Sequence, residues 1–347
     1  MPQRPHGPTH PGRLDALLEA SVVGSFTRIG PAVRRRIQHW DDLRGAGTGR
    51  RVLVTGANRG LGFATAAGLL ARGAAVVATV RDGDLAPAAR AALLARVTAD
   101  GPADDAPPPE ERLTVAALDL DRFASVEALA ERLGGSDTPD VVVHNAGAMF
   151  PTRATTPEGL ERTWQVHVVA PFLLTMRLLP ALTRRPDPRV IWVSSGGMYT
   201  ERLVVRRVDS PGGYRPAVAY ARAKRAQVEL VRELHRRLGA RTGIAFHAMH
   251  PGWARTPGLR TSLPTFDRLL RPLLRSPEQG ADTVLHLALT PRGDDPDGPL
   301  AGGRFWADRW PRPTDRLART VCDDDERVAL WERLLHDARI ERPAAPA

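Results

Sequence analysis

Short apolar runs alternate along the chain with longer segments whose apolar residues recur every three or four positions. From residue 50 onward most of the short runs are continuous, without the apolar–polar alternation of a half-exposed strand. Continuous runs are typical of strands covered on both faces, and their alternation with helices predicts a parallel sheet between two helical layers. The predicted strands cover residues 51–55, 74–80, 113–118, 140–144, 189–194, 243–249 and 303–306.

Right-handed crossovers between about seven such strands give a single α/β domain, a doubly wound Rossmann-type parallel sheet with helices on both faces. The helix that begins near residue 276 has a capping-box pattern, with Ser276 as N-cap, Pro277 at the first position and Gln279 at the third. A Pro- and Asp-rich stretch over residues 98–111 predicts an exposed loop. The other predicted helices end at residue 71 or cover residues 85–97, 125–133, 157–182, 217–238 and 323–339.

The pattern divides the chain into a disordered start (1–12), an N-terminal helical arm (13–49), the Rossmann-type domain (50–317) and a C-terminal helix with a tail (318–347). In the arm, apolar residues recur at helical spacing until Gly30-Pro31 interrupts them, and Arg34 to Arg36 follow. Such a segment could lie on a membrane surface, or pack on its own domain or on a partner subunit. We favour the packed arm, because no apolar face continues past Pro31.

Composition narrows the classes of protein. The 42% of hydrophobic residues are enough for a sizeable core, and the single cysteine, Cys322, excludes an internal disulfide and a cysteine-based metal cluster. The histidines lack metal-ligand spacing, so we expect no metal site. No apolar run reaches about 18 residues, and the first twelve residues lack the apolar core of a signal peptide. These features predict a cytoplasmic protein without a transmembrane helix.

The charge balance is strongly basic, with a formal net charge of +10 and a pI near 11.0. Nucleic-acid binding proteins often have such a balance. Here, however, the arginines are scattered through every segment, and aromatic residues are not interleaved with them. We therefore expect no nucleic-acid partner, and favour a phosphorylated cofactor or an acidic substrate. The abundance of Ala, Arg, Pro and Gly indicates a bacterial-like, GC-rich genome.

Lys224 is the only lysine in a chain with 49 Lys and Arg residues, and Tyr220 lies four positions before it. On a helix, this spacing puts the two side chains on one face. An ammonium favours the phenolate of a neighbouring tyrosine and so lowers its pKa. The pair is a candidate general acid and base, although a surface tyrosine beside a leftover lysine would leave the same pattern.

A glycine-rich turn follows the first predicted strand. Glycines at this place allow a pyrophosphate to approach the N-terminus of the next helix. The second strand ends at Arg81, where an NAD site usually carries an acidic residue. Arg81, together with Arg59 in the turn, suits the 2′-phosphate of NADP, whereas Asp82 could reach a ribose. We favour NADP over NAD. The turn comprises Thr55, Gly56, Ala57, Asn58, Arg59, Gly60, Leu61 and Gly62.

A set of short motifs falls in a recognisable order over residues 50–310. In this order the chain resembles the short-chain dehydrogenase/reductase family, in its non-extended branch. More narrowly, residues 193–198 and 249–254 resemble the members like dehydrogenase/reductase member 12 and the retinol dehydrogenases. The motifs are the glycine-rich turn, Asp119-Leu120, Asn145-Ala146-Gly147, Ser194-Ser195, Tyr220 with Lys224, Pro251-Gly252 and Thr256.

The resemblance implies a role for each motif residue. Tyr220 would exchange the proton, Lys224 would lower its pKa and bind the nicotinamide ribose, and Ser195 would polarise the substrate carbonyl. We choose Ser195 over Ser194 because the family places its serine just before the Gly-Gly-Met stretch. The implied cofactor contacts are the glycine-rich turn, Arg81, Asp119 and Leu120 at the adenine, Asn145, Ala146 and Gly147 along the cleft, and Pro251, Gly252 and Thr256 at the nicotinamide or pyrophosphate.

The chain departs from the family pattern at His167, which stands where the family has a catalytic Asn on its helix E. An imidazole can still hydrogen-bond, so the proton relay can survive, with a pKa near neutrality that would change the pH profile. Alternatively, His167 serves packing alone. A catalytically silent nucleotide-binding sensor or scaffold is therefore the main rival to an enzyme. A sugar epimerase or dehydratase of the extended branch would need a different glycine spacing and a longer substrate domain.

The segment 257–276 would cover the substrate cleft in this family. Its apolar residues predict a lipophilic carbonyl or alcohol substrate, and its arginines could face anionic headgroups, although a helix packed on the core would show the same pattern. The family often pairs helices E (157–182) and F (217–238) between subunits, so we expect a homo-oligomer. The segment contains Leu259, Leu263, Phe266, Leu269, Leu270, Leu273 and Leu274 with Arg260, Arg268, Arg271 and Arg275.

Overall fold

One eight-stranded sheet organises the protein. The computed structural model describes residues 12–100, 106–210, 212–256, 260, 264–293, 298 and 300–341. The strand order is β3-β2-β1-β4-β5-β6-β7-β8, and every neighbouring pair is parallel except β7–β8. The strands are β1 (Arg51–Val54), β2 (Ala75–Val80), β3 (Leu113–Ala117), β4 (Val141–His144), β5 (Arg189–Val193), β6 (Ala245–Met249), β7 (Arg304–Ala307) and β8 (Trp310–Arg312).

This sheet confirms the predicted doubly wound parallel architecture, with one strand more than expected. The additional strand β8 is the antiparallel return of a hairpin, which a continuous apolar run does not reveal. The strand order reverses between β1 and β4, which lie side by side in the sheet. In an open α/β sheet, a crevice for ligands lies at such a reversal, beyond the carboxyl ends of the strands.

Helices cover both faces of the sheet, and each face has its own cluster of buried apolar residues. The first face packs against α7, α9 and α10, and the second against α4 and α13. The helices are α1 (Arg13–Ala20), α2 (Val22–Phe26), α3 (Ile29–Ile37), α4 (Gly60–Ala71), α5 (Ala86–Asp100), α6 (Pro109–Arg112), α7 (Phe123–Leu133), α8 (Arg162–Trp164), α9 (Ala170–Leu182), α10 (Pro216–Leu234), α11 (Ala240–Thr242), α12 (Pro264–Leu270), α13 (Pro277–Leu289) and α14 (Asp324–Asp337).

Three predicted boundaries were wrong. The predicted loop 98–111 is helical at both ends, in α5 and α6, and residues 101–105 lie outside the described chain, as does the predicted disordered start up to residue 11. The helix predicted from residue 157 begins only at Arg162, because Glu161 is its N-cap and accepts hydrogen bonds from the backbone NH groups of Thr163 and Trp164. Gly30-Pro31 does not interrupt the helical pattern, because it lies in the first turns of α3, where proline needs no hydrogen-bond donor.

Residues Arg162–Leu182 form one continuous helical segment, in which the π-helical turn Gln165–Val169 joins α8 to α9. The segment is 21 residues long, and an 18-residue window of it has a mean hydropathy of 1.4, enough by length and composition to cross a membrane. It lies within the protein, however, with most of its surface buried in the core. A central helix between a sheet and other helices is apolar for this reason alone.

The C-terminal helix α14 packs across α9 and α10. The rings of Phe172 and Trp331 meet edge to face at 5.5 Å, and the guanidinium of Arg237 lies over the Trp331 ring. The indole NH of Trp164 donates to Asp337. Helices α9 and α10 form the face through which the family resemblance predicts that subunits pair. A contact between two copies along this face would therefore have to include α14.

The N-terminal arm is anchored by buried ion pairs. Arg34 is fully buried and binds Asp15 within the arm and Asp308 at the far end of the chain. Asp308 also receives Arg275, at 2.6 Å, and Arg312 reaches Asp15 at 2.6 Å. We call these five residues the ionic hub. The arginines hold the pKa of Asp15 and Asp308 below the ordinary carboxyl value, against the opposing effect of burial.

The turn between β7 and β8 places Asp308 in the ionic hub. Asp308 and Arg309 both have positive φ, 53° and 58°, in a two-residue connection of the kind that usually contains glycine or asparagine. Both side chains are engaged, since Arg309 forms a bidentate pair with Asp282 on α13. These ion pairs compensate the conformational cost of two side chains in the left-handed region.

We predict that Asp15→Asn lowers the free energy of unfolding by about 3–5 kcal/mol, because it leaves Arg34 and Arg312 short of a buried counter-charge. The matched control is Asp137→Asn, since the carboxylate of Asp137 is 61% exposed and pairs with Arg51 at the surface. An exposed pair of this kind is worth about 1 kcal/mol or less. Urea unfolding of both variants at neutral pH measures the difference. Equal losses in the two variants would contradict the anchoring role of the hub.

Candidate active site

The glycine-rich turn joins β1 to α4 at the crevice. Gly56 has a φ of 68°, and the Gly56 carbonyl lies so close to Gly62 that a Cβ at Gly62 would collide with it and with the Asn145 side chain. Leu61 packs against Gly280, whereas Asn58 and Arg59 are exposed. The turn therefore leaves the N-terminus of α4, which begins at Gly60, open to a ligand. Such a terminus favours anionic groups.

Thr55 and Asn145 tie the turn to the end of β4. The Thr55 hydroxyl accepts the backbone NH groups of Asn145 and Ala146, both at 3.0 Å, and donates to the carbonyl of Val143. The Asn145 side chain donates to the carbonyls of Thr55 and Gly56, at 2.9 and 3.2 Å. Both side chains thus hold the two walls of the crevice at a fixed spacing, and Ala146 and Gly147 continue from it along the β4 wall.

The end of β3 contributes Asp119 and Leu120. Leu120 is buried, and the Asp119 carboxylate is partly exposed near Arg122, with one oxygen accepting the backbone NH of Asp121. At the end of β2, Arg81 is exposed like Arg59, and neither forms an ion pair with any described residue. Asp82 points its carboxylate at its own chain, where it accepts the NH of Asp84.

The two serines after β5 have different surroundings. Ser194 is buried and donates to the backbone carbonyl of Lys224 at 2.9 Å. Ser195 begins the turn Gly196–Thr200, where its hydroxyl accepts the NH of Gly197. Ser195 is also the hydrogen-bond partner of the Tyr220 phenol. The side chain that faces the phenol is therefore Ser195, the one chosen from sequence.

Tyr220 and Lys224 lie one turn apart on α10, as their spacing predicts. The Lys224 side chain is buried, with Nζ 5.4 Å from the centre of the Tyr220 ring and 2.8 Å from the carbonyl of Val193, to which it donates. Burial lowers the pKa of Lys224 to about 7. The pKa of Tyr220 does not move as expected from sequence, because burial raises it and only the hydrogen bond with Ser195 opposes the rise.

His167 lies in the π-helical turn, beside the catalytic candidates. Its ring meets that of Tyr220 edge to face at 5.4 Å, and its Nε2 lies 2.8 Å from the carbonyl of Ala148. Burial lowers the pKa of His167 to about 3, so the predicted titration near neutrality was wrong. The buried Nδ1 has no hydrogen-bond partner among the described residues. His167 is therefore a neutral group with a free ring nitrogen beside the site.

Sequence reasoning missed Gln227, which lies on α10 two turns after Tyr220. Its amide donates to the backbone carbonyl of His167 at 2.7 Å. A π-helical turn releases a carbonyl from the regular helical pattern, and such turns are frequent at functional sites. Gln227 satisfies this carbonyl and ties the two central helices together. Only the spacing from Tyr220 could have indicated it.

The loop after β6 closes the opposite side of the crevice with Pro251, Gly252 and Thr256, which are partly exposed. The next aromatic side chain, Trp253, meets Phe266 of α12 edge to face at 5.1 Å. The cover predicted from sequence is partly in place, although Leu259 and Leu263 lie outside the described residues. Arg275, one of the arginines that could face anionic headgroups, does not do so, because it is buried in the ionic hub.

The arrangement fits a dinucleotide. Gly56 and Gly62 let the turn pack closely on Ala146 and Asn145, and the N-terminus of α4 is open. The exposed guanidiniums of Arg59 in the turn and Arg81 after β2 have no ion-pair partner among the described residues. The phenol, the serine hydroxyl and the lysine meet beyond β5, at the same edge of the sheet. Within the described ranges, no group of three His, Cys, Asp or Glu residues could hold a metal ion.

Comparison with known proteins shows a family match. The short chain dehydrogenase family model matches residues 50–265. Dehydrogenase/reductase SDR family member 12 of Bos taurus is 38% identical over 304 residues, 86% of this chain and 89% of the relative. Retinol dehydrogenase 14 of Mus musculus is 34% identical over 292 residues, 82% and 84% of the two chains. A blue fluorescent protein from a metagenomic library, solved in complex with NADPH, has a TM-score of 0.55 and 26% identity, covering 75% and 96% of the two chains.

We predict that Lys224→Met changes how stability depends on pH. The amine has a folded-state pKa of about 7, below its ordinary value of 10.5, so the buried charge opposes folding fully below pH 7. As the pH rises above 7, the folded protein releases this proton before the unfolded chain does. The free energy of unfolding of the wild type therefore rises by up to about 1.4 kcal/mol per pH unit. The stability advantage of the variant over the wild type therefore shrinks between about pH 7 and pH 9.

Urea unfolding at several pH values measures this difference. Arg177→Met is the control, because Arg177 is half-exposed and an arginine does not titrate in this range. If the stability curves of the wild type and Lys224→Met stay parallel, the lysine is not held in a desolvating environment.

Proposed function

The chain belongs to the short-chain dehydrogenase family, and we propose from this premise that it is an NADP(H)-dependent oxidoreductase that interconverts a carbonyl and an alcohol on a lipophilic small molecule. That the protein is an NAD(P)-dependent oxidoreductase of C=O and CH-OH groups follows from the family and its dehydrogenase relatives. The choice of NADP, the part played by Tyr220 and the lipophilic substrate are our proposals. The observation that carries the role of Tyr220 is the meeting of Ser195, Tyr220 and Lys224 at the crevice.

The bound nicotinamide supplies the hydride in reduction and accepts it in oxidation. In the reducing direction, the Tyr220 hydroxyl gives its proton to the substrate oxygen, and the Ser195 hydroxyl donates a hydrogen bond to the same oxygen. A raised pKa keeps the phenol protonated at neutral pH, which is the form that reduction needs. In the oxidising direction, the phenolate takes the proton of the alcohol.

Lys224 places a charge or a hydrogen-bond donor directly beneath the phenol. A pKa of about 7 leaves the amine partly protonated at neutral pH, and a bound ribose hydroxyl would give it a further partner. The free Nδ1 of His167 can accept a hydrogen bond from a water molecule between the phenol and the lysine. We propose that His167 thereby serves the proton relay in place of the family's asparagine, without titrating near neutrality.

The preference for NADP rests on charge. Arg59 and Arg81 are exposed guanidiniums without ion-pair partners in the described chain, on the two elements that flank the adenosine ribose in this fold. Asp82, the acid directly after Arg81, could reach a ribose hydroxyl, but its carboxylate accepts the NH of Asp84. A guanidinium pair suits a phosphate, because it offers forked hydrogen bonds with full charge.

We predict that Arg81→Ser weakens the binding of NADPH by about 10- to 100-fold, the value of one charged hydrogen bond, and leaves NADH within about threefold. Tryptophan fluorescence titration measures both dissociation constants. Arg177→Ser is the matched control, since it removes one exposed arginine from α9, which lies on the other side of β4. Equal weakening for both nucleotides would argue against a 2′-phosphate contact.

The lipophilic substrate is inferred from the apolar side chains between the loop after β6 and α12. Trp253 and Phe266 stand there as a pair of aromatic rings, and Leu269 of α12 is 73% exposed. The similarity of this chain to a retinol dehydrogenase also supports a lipophilic substrate. From the sequence, we propose a cytoplasmic protein that forms homo-oligomers, with α14 as part of any contact along α9 and α10.

The direct test is Tyr220→Phe, assayed with a panel of aliphatic and aromatic carbonyls and the preferred nucleotide. We expect kcat to fall by at least about 100-fold, because the general acid is lost, while the dissociation constant of NADPH stays within about threefold. Tyr199→Phe is the control, as the Tyr199 hydroxyl donates to the carbonyl of Pro313 away from the serine.

The silent alternative predicts a different result. A nucleotide sensor would bind NADPH tightly, and neither the wild type nor Tyr220→Phe would turn over any carbonyl in the panel. Retention of full turnover in Tyr220→Phe would instead remove the tyrosine from the mechanism. Only loss of turnover with unchanged nucleotide binding supports the proposal.

A further inference from the structure

We infer that the N-terminal arm completes the active site, with Phe26 as a positioning residue that holds two turns of the catalytic crevice against each other. The inference builds on the proposed function, since it concerns the same serine and the loop after β6, residues 251–256, which we call the cofactor loop. The family match begins at residue 50, so the arm, residues 13–37, lies entirely before it.

The Phe26 side chain supports the turn that carries Ser195. Its ring is 4% exposed and lies so close to Gly196 that a Cβ at Gly196 would collide with it. Gly196 directly follows Ser195, the residue that hydrogen-bonds the Tyr220 phenol. The ring thus forms the back wall of the serine turn. Without this wall, the backbone at Gly196 could move toward the arm and take Ser195 with it.

The Phe26 backbone supports the turn on the other side of the crevice. Its carbonyl accepts the NH of Trp253 at 2.7 Å and the Nε of Arg275 at 3.1 Å. A Cβ at Gly252 would lie only 2.7 Å from the same carbonyl, so the cofactor loop approaches the arm as closely as glycine allows. The Trp253 ring also packs edge to face on the Phe26 ring, at 5.7 Å.

The ionic hub prevents the arm from drifting. Arg275 donates to the carbonyls of Ser25, Phe26 and Thr27, and to the carboxylate of Asp308, while Arg34 reaches Asp308 from the other side. Three successive carbonyls of one segment are therefore captured by one buried guanidinium. A rigid support of this kind is what a catalytic hydroxyl needs, because a displacement of about 1 Å can lower a rate by about 100-fold.

The same contacts connect the arm to the side chains expected to line the substrate site. Phe26, Trp253 and Phe266 form a continuous series of ring contacts, at 5.7 and 5.1 Å, from the serine turn to helix α12. A smaller side chain at position 26 frees the Trp253 ring on one side. We expect the position of Trp253, and with it the KM for the bulkiest carbonyl substrates, to depend on residue 26.

The experiment compares Phe26→Ala and Phe26→Leu with Phe246→Ala in the full-length chain. Phe246 is equally buried, but it lies in the first half of β6, whose carboxyl end forms the crevice. We expect Phe26→Ala to lower kcat by at least about tenfold at saturating NADPH and substrate. Phe26→Leu should recover most of this loss, and Phe246→Ala should lower the unfolding midpoint without changing kcat by more than about twofold.

A second readout does not need turnover. Amide hydrogen exchange is measured over residues 195–199 and 252–254, in the wild type and in the three variants. We expect exchange in both segments to rise at least about tenfold in Phe26→Ala and to stay within about twofold in Phe246→Ala. If Phe26→Ala fails to fold, Phe26→Leu carries both measurements, and we then expect a fall in kcat of about two- to threefold with a measurable rise in exchange in the same two segments.

The outcomes separate the two proposals. If the wild type reduces no carbonyl in the panel, the proposed function fails, and the arm is judged by exchange alone. Unchanged exchange in both segments, or a fall in kcat no greater than in Phe246→Ala, would overturn the positioning role of Phe26. A fall in kcat with raised exchange in both segments supports it.

Discussion

Parallel strands impose one constraint on which this whole structure depends, because all their carboxyl ends must lie at the same edge of the sheet. Val54, His144, Val193 and Met249 end the four central strands there, in continuous register. The glycine-rich turn, Asn145, Ser195 and the loop with Pro251 each follow one of these ends. Segments that lie far apart in sequence therefore meet in one crevice without any direct signal between them.

Burial of charge is the second organising force, and it acts at two places with different results. In the ionic hub, Asp15, Asp308 and three arginines are buried together, so each charge keeps its ordinary sign. Lys224 is buried beside a carbonyl and a phenol ring instead of a carboxylate, and its pKa falls to about 7. The buried charges of the ionic hub therefore stabilise the fold, whereas the surroundings of Lys224 let its ammonium exchange a proton near neutral pH.

The strands and the site motifs could be predicted from the sequence, because each depends on short-range pattern. A continuous apolar run followed by Gly56, or Tyr220 four positions before Lys224, needs no knowledge of the rest of the chain. The pKa directions of Tyr220 and His167 could not be predicted, because they depend on how completely the folded chain excludes water from each side chain. The place of Phe26 was equally hidden, since in sequence it is one apolar residue among several in the arm.

The ionic hub joins residues that are far apart in the chain, 274 positions for Arg34 and Asp308 and 297 for Arg312 and Asp15. A ribosome makes the arm before the segments that hold it, so the arm finds its partners only after the β7–β8 hairpin has been made. The nascent chain can assemble the central strands in order as they are synthesised. The support behind the serine turn is therefore completed after the central strands.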